Sequence, residues 1–399
     1  MQEGFMGPHA AAFDRAEYDR RLAATRAAMA RAGIDILFVT DPSNQNWLTG
    51  YDGWSFYVHQ GVILPLDGDP CWWGRMQDTA GAQRTVWMPE ACILGYDDRY
   101  VQSATRHPMQ DLAARLIGMG QGRARIGVEM DNYYYSAKAH AVLGTALPDA
   151  ALVDATALVN WQRLVKSPPE IATMRRAARI SERIARLAIE LAEPGLPKNE
   201  LVGEVMRAAV RGVGDDWGDY AAIVPLMPSG ADASAPHLTW NGEAMRRGEA
   251  TFFELSGCVR RYHAPLCRTV HLGTPPDEMA RASDALCEGL EAGLAAARPG
   301  NTTQDIAAAL HAPLRRIGIH RPNRCGYPVG LSYPPDWGER TASLRKGDLT
   351  VLEPGMTFHF MPGLWMESWG LETTETILIR EDGPAETLCD LDRTLFVKP

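Results

Sequence analysis

The feature that most constrains the fold is a short string that occurs twice in the C-terminal half of the chain. Glu193–Leu201 (EPGLPKNEL) is echoed by Arg298–Ile306 (RPGNTTQDI). In both copies a helical pattern stops at Pro-Gly, and the polar run that follows is suited to cap a new helix. The repeat predicts two helix pairs that back one curved sheet with pseudo-twofold symmetry. The alternative is a coincidental match over a short string.

The N-terminal half alternates between helical and strand patterns. Glu17–Ala32 has apolar residues at helical spacing and stops at Gly33, as a helix end should. This alternation predicts an α/β domain, with strands at 34–39, 61–66, 71–73 and 125–129 and helices at 111–117 and 136–147. The predicted organisation is a flexible tail at 1–12, the α/β domain at 13–160 and a second domain at 161–399, with the linker between 158 and 169.

Composition excludes several classes of partner. The 399 residues carry a net charge of −9, which disfavours nucleic acid and anionic membranes as partners. The chain contains no apolar run of the length that spans a membrane, and its first residues lack the basic and apolar pattern of a secretory signal, so we expect neither a membrane span nor secretion. Its seven cysteines are scattered and odd in number, which indicates reduced thiols in the cytoplasm.

Three ionisable residues are candidates for catalysis. Glu254 is expected at the end of an apolar strand, where lost hydration would favour its neutral form; the alternative is a solvated glutamate at a strand end. Glu353 lies in a strand-to-turn signature, and turn chemistry alone would also explain it. His237 follows proline and could act as a proton shuttle or be purely structural.

Several strings together are similar to the creatinase/aminopeptidase P/methionine aminopeptidase family. They are Lys166–Ile171 (KSPPEI), Asn46–Tyr51 (NWLTGY), and in order Phe252–Gly257, Ala264–Thr269, Gly326–Gly330, Leu352–Met356 and Gly370–Glu375. The resemblance covers nearly the whole chain. It implies an α/β N-terminal domain followed by an α+β pita-bread catalytic domain.

The metal-using members of this family place Asp, Asp, His, Glu and Glu at five positions in these strings. The matching residues here are Glu254, Pro265, Tyr327, Glu353 and Thr374. Proline and threonine cannot replace carboxylates, and tyrosine is a poor substitute for imidazole at a hard dinuclear site. The chain therefore resembles the metal-free branch that contains creatinase, which implies no metal and no other cofactor.

The resemblance also implies roles for individual residues. Glu254, His237 and Glu353 would be catalytic, and the residues expected to bind substrate include Tyr327, Arg340, Glu372, Trp240 and His263. On one continuous strand Glu372 and Thr374 would share a face, unless a bulge brings Glu375 into the ligand position instead. By the same period of two, His263 shares a face with Pro265; the alternative is a surface histidine.

An aromatic loop in the N-terminal domain is a further candidate for substrate binding. The loop combines glycine with the aromatic residues Tyr51, Trp54 and Tyr57. Aromatic rings suit a cationic ligand. The resemblance implies a homodimer in which this loop covers the catalytic domain of the other subunit. The alternative is that these rings fill the core of their own domain.

Within the metal-free branch, Gly50–Gln60 and Pro334–Arg340 look like the members that hydrolyse ectoine. Ectoine is a cyclic amidine with a carboxylate, and its protonated amidine is already electrophilic. The resemblance implies hydrolysis to N-acetyl-L-2,4-diaminobutyrate, with hydroxyectoine as a further possible substrate. The alternatives are a creatinase-like amidinohydrolase, a metal-dependent peptidase like aminopeptidase P or prolidase, and a non-catalytic binding module.

Metal independence is the first testable prediction. Because Pro265 and Thr374 remove two carboxylates from the ligand set, purified protein should contain less than about one equivalent of any divalent ion. Turnover should survive a chelator. Elemental analysis together with an assay in EDTA measures both, and stoichiometric zinc, manganese or iron needed for activity would contradict the prediction.

Overall fold

The structure is a computed structural model that describes residues 11–399. The predicted tail at 1–12 lies outside the described residues except for its last two positions. The chain forms two compact units, Met1–Gln162 and Arg163–Pro399. The segment expected to be a linker is not extended throughout, because a short helix, α6, occupies Leu158–Arg163.

The first unit is built on a mixed six-stranded sheet. Its strand order is β4-β3-β2-β1-β5-β6, with β1 parallel to β5 and antiparallel to β2. The strands are β1 Ile36–Val39, β2 Gly61–Pro65, β3 Cys71–Arg75, β4 Ile93–Tyr96, β5 Arg125–Val128 and β6 Ala151–Asp154, and the helices before α6 are α1 Arg15–Ala32, α2 Pro42–Thr49, α3 Thr79–Thr85, α4 Pro108–Gly118 and α5 Ala137–Ala146. The predicted α/β class is confirmed.

The ends of α1 illustrate why the sequence folds locally as it does. The Asp14 side chain accepts a hydrogen bond from the Glu17 amide at 3.0 Å and so caps the first turn. Gly33 ends the helix with φ +63°, a left-handed conformation that glycine adopts without strain. The chain can then turn directly into β1, which lies fully buried in the sheet.

The second unit contains the two helix pairs that the repeat predicts. They are α7 Pro168–Leu191 with α8 Lys198–Arg211, and α9 Asp277–Ala296 with α10 Thr303–Arg316. Each pair is joined through one of the two Pro-Gly strings, where Gly195 and Gly300 have φ of +95° and +85°. The repeated glycine therefore serves the same left-handed turn in both halves.

Three short sheets form the other layer of the second unit. Their strand orders are β15-β8-β7, β14-β13-β10-β9 and β11-β12. The strands are β7 Ala250–Val259, β8 Tyr262–Leu272, β9 Gly326–Pro328, β10 Thr357–Phe360, β11 Gly363–Trp365, β12 Gly370–Glu372, β13 Glu375–Leu378, β14 Glu386–Thr387 and β15 Phe396–Lys398.

Helix α7 packs closely on the hairpin of β7 and β8. A Cβ atom at Gly257 would lie 2.3 Å from the Ala177 carbonyl oxygen, so only glycine permits this approach. The Ser181 hydroxyl donates to the Ala264 carbonyl and accepts from the Gly257 amide at 2.7 Å. These contacts fix the hairpin that carries Glu254.

Two details differ from the sequence expectation. Glu254 lies in the middle of β7 rather than at its end, because the strand continues to Val259. The last strand is not continuous but breaks between β12 and β13. The break has a clear cause: the Thr373 amide donates to Pro362 and the Thr374 amide to Cys267, so the chain crosses from one sheet to another.

Among residues 11–399, no helix has the length and apolarity needed to cross a membrane.

Candidate active site

The centre of the site is Glu254, a carboxyl group buried on a strand interior. It pairs directly with Cys267 on β8, and the next pair on the same face is Ser256 with Pro265. Its side chain is buried. The pKa of Glu254 is raised well above its usual range, first by burial and then by the charges of Glu372 and Asp336. Burial therefore favours the protonated form of this group more than it would for an exposed glutamate.

Glu372 is the second buried carboxyl group of the site. It ends β12 opposite Gly363 on β11 and is only 1% exposed. Burial raises its pKa to about 7, while the Cys267 thiol and the Arg321 guanidinium act in the opposite direction. The Cys267 thiol lies close by but does not form a hydrogen bond with Glu372. Neither carboxylate oxygen of Glu372 has a hydrogen-bond partner among residues 11–399. Glu254 and Glu372 thus form a coupled pair that disfavours two negative charges.

Beside Glu254 runs a chain of four hydrogen-bonded side chains. The Trp337 indole Nε1 donates to the Tyr327 hydroxyl at 2.9 Å, and that hydroxyl lies 3.1 Å from His359 Nδ1. His359 Nε2 lies 2.8 Å from the Thr374 hydroxyl. These groups are buried and come from the loop after β9, from β9 itself, from β10 and from the segment between β12 and β13.

The donors in this chain assign the tautomer of His359. An indole can only donate, so the Tyr327 hydroxyl accepts from Trp337 and its own proton is available to His359 Nδ1. The ring proton then sits on Nε2, which donates to Thr374. Burial lowers the pKa of His359 to about 3, so the ring is neutral at physiological pH. Its Nδ1 atom lies 4.0 Å from Glu254 Oε1, which places a neutral relay beside the buried carboxyl.

The structure corrects the fourth of the five ligand positions. Glu353 is exposed in the turn before β10, away from the buried carboxyl pair. Glu353 is followed by Pro354-Gly355, and another Pro-Gly pair occurs in Met361–Gly363, directly after β10. The Met361 amide donates to the Cys325 carbonyl at 2.7 Å, and the Pro362 carbonyl accepts from Thr373 at 3.1 Å. By location Met361 occupies the fourth position, and Glu353 is not part of the site.

The residues at these positions do not fit a dinuclear metal centre. Pro265 offers no side-chain donor, Met361 offers only a soft thioether, and the hydroxyls of Tyr327 and Thr374 are both engaged with His359. Only Glu254 supplies a carboxylate. Across residues 11–399 no group of three or more His, Cys, Asp or Glu side chains is placed to hold a metal ion.

The choice left open between Thr374 and Glu375 is decided by their contacts. Glu375 pairs with the buried Arg268 and lies on β13 opposite Phe360. Thr374 instead contacts His359, so Thr374 and not Glu375 takes the fifth position. Glu372 is buried next to Glu254 although the strand is broken after it, so the alternation that predicted it rested on an incorrect strand.

The other predicted residues of the second unit are more dispersed. His237 is exposed in the loop after Ala233, whose carbonyl packs against Gly370 of β12 so tightly that a Cβ there would lie 1.8 Å away. Trp240 packs partly against the core between α7 and the hairpin rather than against Glu254. Arg340 is exposed in a left-handed conformation with φ +56°.

His263 is buried, not a surface histidine. Its Nε2 accepts from the Ala222 amide at 2.9 Å, while Nδ1 has no partner among the described residues. Burial lowers its pKa to about 4, so it too is neutral. The centroid of its ring lies 6.2 Å from that of Trp337, so His263 approaches the hydrogen-bonded chain through this ring contact and not through a hydrogen bond.

The aromatic loop of the first unit divides into buried and exposed members. Tyr51 is buried, with its hydroxyl 2.6 Å from that of Ser55, and belongs to the core of its unit. Trp54 and Tyr57 are 58% and 66% exposed. Tyr51 is therefore structural within this unit, whereas most of the surface of Trp54 and Tyr57 is exposed.

Sequence reasoning missed His359, Cys267, Met361 and Arg321. A signal for His359 was present, since a histidine between Phe358 and Phe360 on a buried strand must find polar partners. Met361 was hidden because the chain contains two Pro-Gly pairs within ten residues and only the first has a glutamate before it.

The pKa of Glu372 generates a prediction about stability. A carboxyl group whose pKa rises from 4.5 to about 7 on folding binds more protons when folded. The contribution of this group to the free energy of unfolding is therefore intact below pH 4.5. It is lost as the pH rises through 7, and the loss is about 3 kcal/mol at pH 8. Glu372→Gln should be more stable than wild type at pH 8, and the difference should vanish near pH 4. Denaturant unfolding at both pH values measures this.

The matched control is Glu367→Gln, which removes an exposed carboxylate from the same region. It should leave stability nearly unchanged at both pH values. A Glu372→Gln variant that is less stable than wild type at pH 8, with the difference shrinking toward pH 4, would show that the carboxylate is paired in solution and would contradict the prediction.

Comparison with known proteins identifies the family. Residues 172–381 match metallopeptidase family M24, and residues 21–165 match the creatinase/prolidase N-terminal domain. The chain is 55% identical to an ectoine hydrolase of Halomonas elongata over 97% of this chain and 98% of that protein. It is 24% identical to a creatinase of a Bacillus species over 93% and 90% of the two chains.

Solved structures show the same fold. Dipeptidase PepE from Mycobacterium ulcerans has a TM-score of 0.79 at 24% identity, covering 97% of this chain and 99% of that one. An Xaa-Pro dipeptidase from Bacillus anthracis has a TM-score of 0.80 at 18% identity, covering 95% and 99%. The predicted pita-bread architecture is confirmed. The chain belongs to metallopeptidase family M24 and carries the family's creatinase/prolidase N-terminal domain.

Proposed function

We propose that this protein is an ectoine hydrolase, which opens the cyclic amidine of ectoine to give N-acetyl-L-2,4-diaminobutyrate. The observation that carries the proposal is the full-length identity to the ectoine hydrolase of Halomonas elongata. The site supports it independently, because its two buried carboxyl groups suit a cation better than a neutral peptide.

The charge of the substrate matches the charge of the site. In the free protein burial raises the pKa of both Glu254 and Glu372, and the charge of Glu372 raises that of Glu254 further. An amidinium placed between them supplies the positive charge that lets them ionise. Binding therefore releases protons, and it leaves a carboxylate facing the electrophilic amidine carbon.

Hydrolysis then requires one bond to form and one to break. Either a Glu254 oxygen or a water that Glu254 activates attacks the amidine carbon, which forms a C–O bond. The C–N bond to one ring nitrogen breaks, and that nitrogen leaves with a proton. We assign its supply to His237 from the family resemblance, since the loop after Ala233 leaves this side chain exposed. If Glu254 attacks directly, water then cleaves the acyl-enzyme and regenerates the carboxyl group.

The neutral relay lies beside the attacking group without a hydrogen bond to it. His359 is anchored at both ring nitrogens, by Tyr327 and Thr374, and its Nδ1 lies 4.0 Å from Glu254. A neutral imidazole beside the carboxyl does not lower its pKa by charge, so the substrate cation remains the group that ionises it. The pair of carboxyl groups thus responds to amidinium binding.

We further propose that the enzyme is a cytoplasmic homodimer and has no nucleic-acid or membrane partner. All seven cysteines lie in the described part of the chain and are free, which suits a reducing compartment. The exposed rings of Trp54 and Tyr57 support a loop that covers the partner's active site, since large apolar rings seldom remain uncovered together.

The test of function is turnover of ectoine by wild type and by two variants. Glu254→Gln keeps the size of the side chain but removes its charge and nucleophilicity, so activity should fall by orders of magnitude. His237→Ala should lose about 10²- to 10⁴-fold by removing proton transfer. Product formation is followed by NMR, with hydroxyectoine and creatine as alternative substrates.

Two further variants serve as controls. Glu353→Gln and His320→Ala replace exposed groups of matching type and should stay within a few-fold of wild type. Wild-type rates for Glu254→Gln would move the chemistry to another group, and turnover of creatine but not ectoine would replace the proposed substrate with a guanidino acid.

Mixed dimers test the shared site. Trp54→Ala and Glu254→Gln proteins should each be nearly inactive, and a mixed dimer would contain one intact site and regain part of the activity. Mixing Glu254→Gln with His237→Ala is the control, because both lesions lie in the second unit and every site stays damaged. Absence of recovery in the first mixture, with subunit exchange demonstrated, would refute the shared site.

A further inference from the structure

Next to the carboxyl pair lies a group of buried donors that the proposed reaction has not used. Arg321, in the loop after α10, donates through Nη1 to the Met361 carbonyl at 3.2 Å. Its Nε and Nη2 atoms are buried, and neither has a hydrogen-bond partner among residues 11–399. Buried guanidinium donors are nearly always paired, so two unpaired ones call for an explanation.

Trp365 holds this guanidinium in place and adds a third donor. The Arg321 Cζ atom lies 4.9 Å from the centroid of the Trp365 ring, which is a cation–π distance. The indole Nε1 of Trp365 is also buried without a partner among the described residues. Three N–H donors at one place suit an acceptor with two oxygens.

The hairpin of β11 and β12 brings Trp365 and Glu372 to the same face. Gly363 lies opposite Glu372, and Trp365 lies opposite Gly370, so residues 363, 365, 370 and 372 point to one side. A Cβ atom at Gly363 would lie 3.0 Å from the Trp365 ring and 3.3 Å from Glu372 Cγ. The indole and the carboxyl group therefore flank the same glycine.

Arg321 and Glu372 feel each other's charge but do not pair. Burial lowers the pKa of Arg321 while Glu372 acts to raise it, and burial raises the pKa of Glu372 while Arg321 acts to lower it. Among the described residues neither oxygen of Glu372 accepts a hydrogen bond from Arg321 or any other group. Opposite charges that stay apart in a buried place, each with unused hydrogen-bonding atoms, fit a ligand that carries both charges.

Resting on the proposed function, we propose that Arg321, positioned by Trp365, binds the carboxylate of the zwitterionic substrate. The amidinium lies at Glu254 and Glu372, and the carboxylate accepts from Nε and Nη2 of Arg321 in a two-pronged contact. This assigns the anchor to Arg321 rather than to Arg340, which is exposed. The site thereby selects cyclic amidines that bear a carboxylate over those that do not.

The experiment compares ectoine with 2-methyl-1,4,5,6-tetrahydropyrimidine, which is ectoine without its carboxylate. Arg321→Gln should raise KM for ectoine about 10- to 100-fold, as expected for lost charged hydrogen bonds. The inhibition constant of the carboxylate-free amidine should change less than about 3-fold, because that probe never uses Arg321. Steady-state kinetics with the probe as competitor gives both numbers.

Matched variants separate the role of Arg321 from general damage. Arg315→Gln, at the exposed end of α10, and Arg340→Gln should both leave KM for ectoine near the wild-type value. Arg321→Lys keeps the charge but loses the planar fork, so a smaller rise in KM is expected. It also preserves the test if Arg321→Gln does not fold, as judged by circular dichroism.

Each outcome has a distinct meaning. Ectoine turnover by wild type with an unchanged KM in folded Arg321→Gln or Arg321→Lys would overturn the anchor and leave the proposed function standing. A rise in KM for Arg340→Gln alone would move the anchor there. An equal loss of affinity for ectoine and for the probe would make Arg321 structural. No ectoine turnover by wild type would remove both the function and this inference.

Discussion

The second unit depends on one unfavourable interaction, the burial of two carboxyl groups within reach of each other's charge. Glu254 and Glu372 come from different sheets, and neither has a cationic partner bonded to it among the described residues. Desolvation raises the pKa of each, and the charge of Glu372 raises that of Glu254 further. The surrounding fold must supply the stability that this arrangement costs, and α7 packed on the β7–β8 hairpin is the rigid element that does so. A bound cation offsets the cost of burying the two carboxyl groups, so the pair favours a cationic ligand.

The relay explains how the scaffold remains ordered with altered ligand positions. In place of charged ligands, the site has an indole, a phenol, an imidazole and a hydroxyl that satisfy each other in sequence. All four are neutral, so they add no field that would ionise Glu254 before substrate arrives. Burial of His359 is tolerated because both ring nitrogens are bonded, whereas a lone buried imidazole would leave one unsatisfied. Replacing ligands by a closed hydrogen-bond chain preserves packing while changing the chemistry that the pocket favours.

Much of the architecture could be read from the sequence because it depends on local signals. Gly33, Gly195 and Gly300 mark helix ends that only left-handed glycine turns permit, and the alternation of the first half is enough to give its class. Glu254 was found because it follows an apolar strand pattern and matches the first ligand position of the family, although it was expected at the end of the strand and lies in its interior. The break after Glu372 could not be found, because it arises when Thr373 and Thr374 bond to Pro362 and Cys267, partners remote in sequence. Arg321 was missed for the same reason, since nothing near it in the chain signals that Trp365 and Glu372 will meet it.

Charge arrangement, rather than any single residue, links the fold to the substrate class. A peptide bond is neutral and needs an external electrophile to polarise it, whereas an amidinium already carries the positive charge at the reacting carbon. Tyr327, Met361 and Thr374 leave Glu254 as the only carboxylate among the five ligand positions, and Glu372 adds a second from outside that set. Arg321 adds a largely buried positive charge that interacts with Glu372, so negative and positive groups lie in the same part of the second unit. Under the proposed function, this arrangement favours a small zwitterion over a neutral or purely anionic ligand, because each of these would leave one buried charge unpaired.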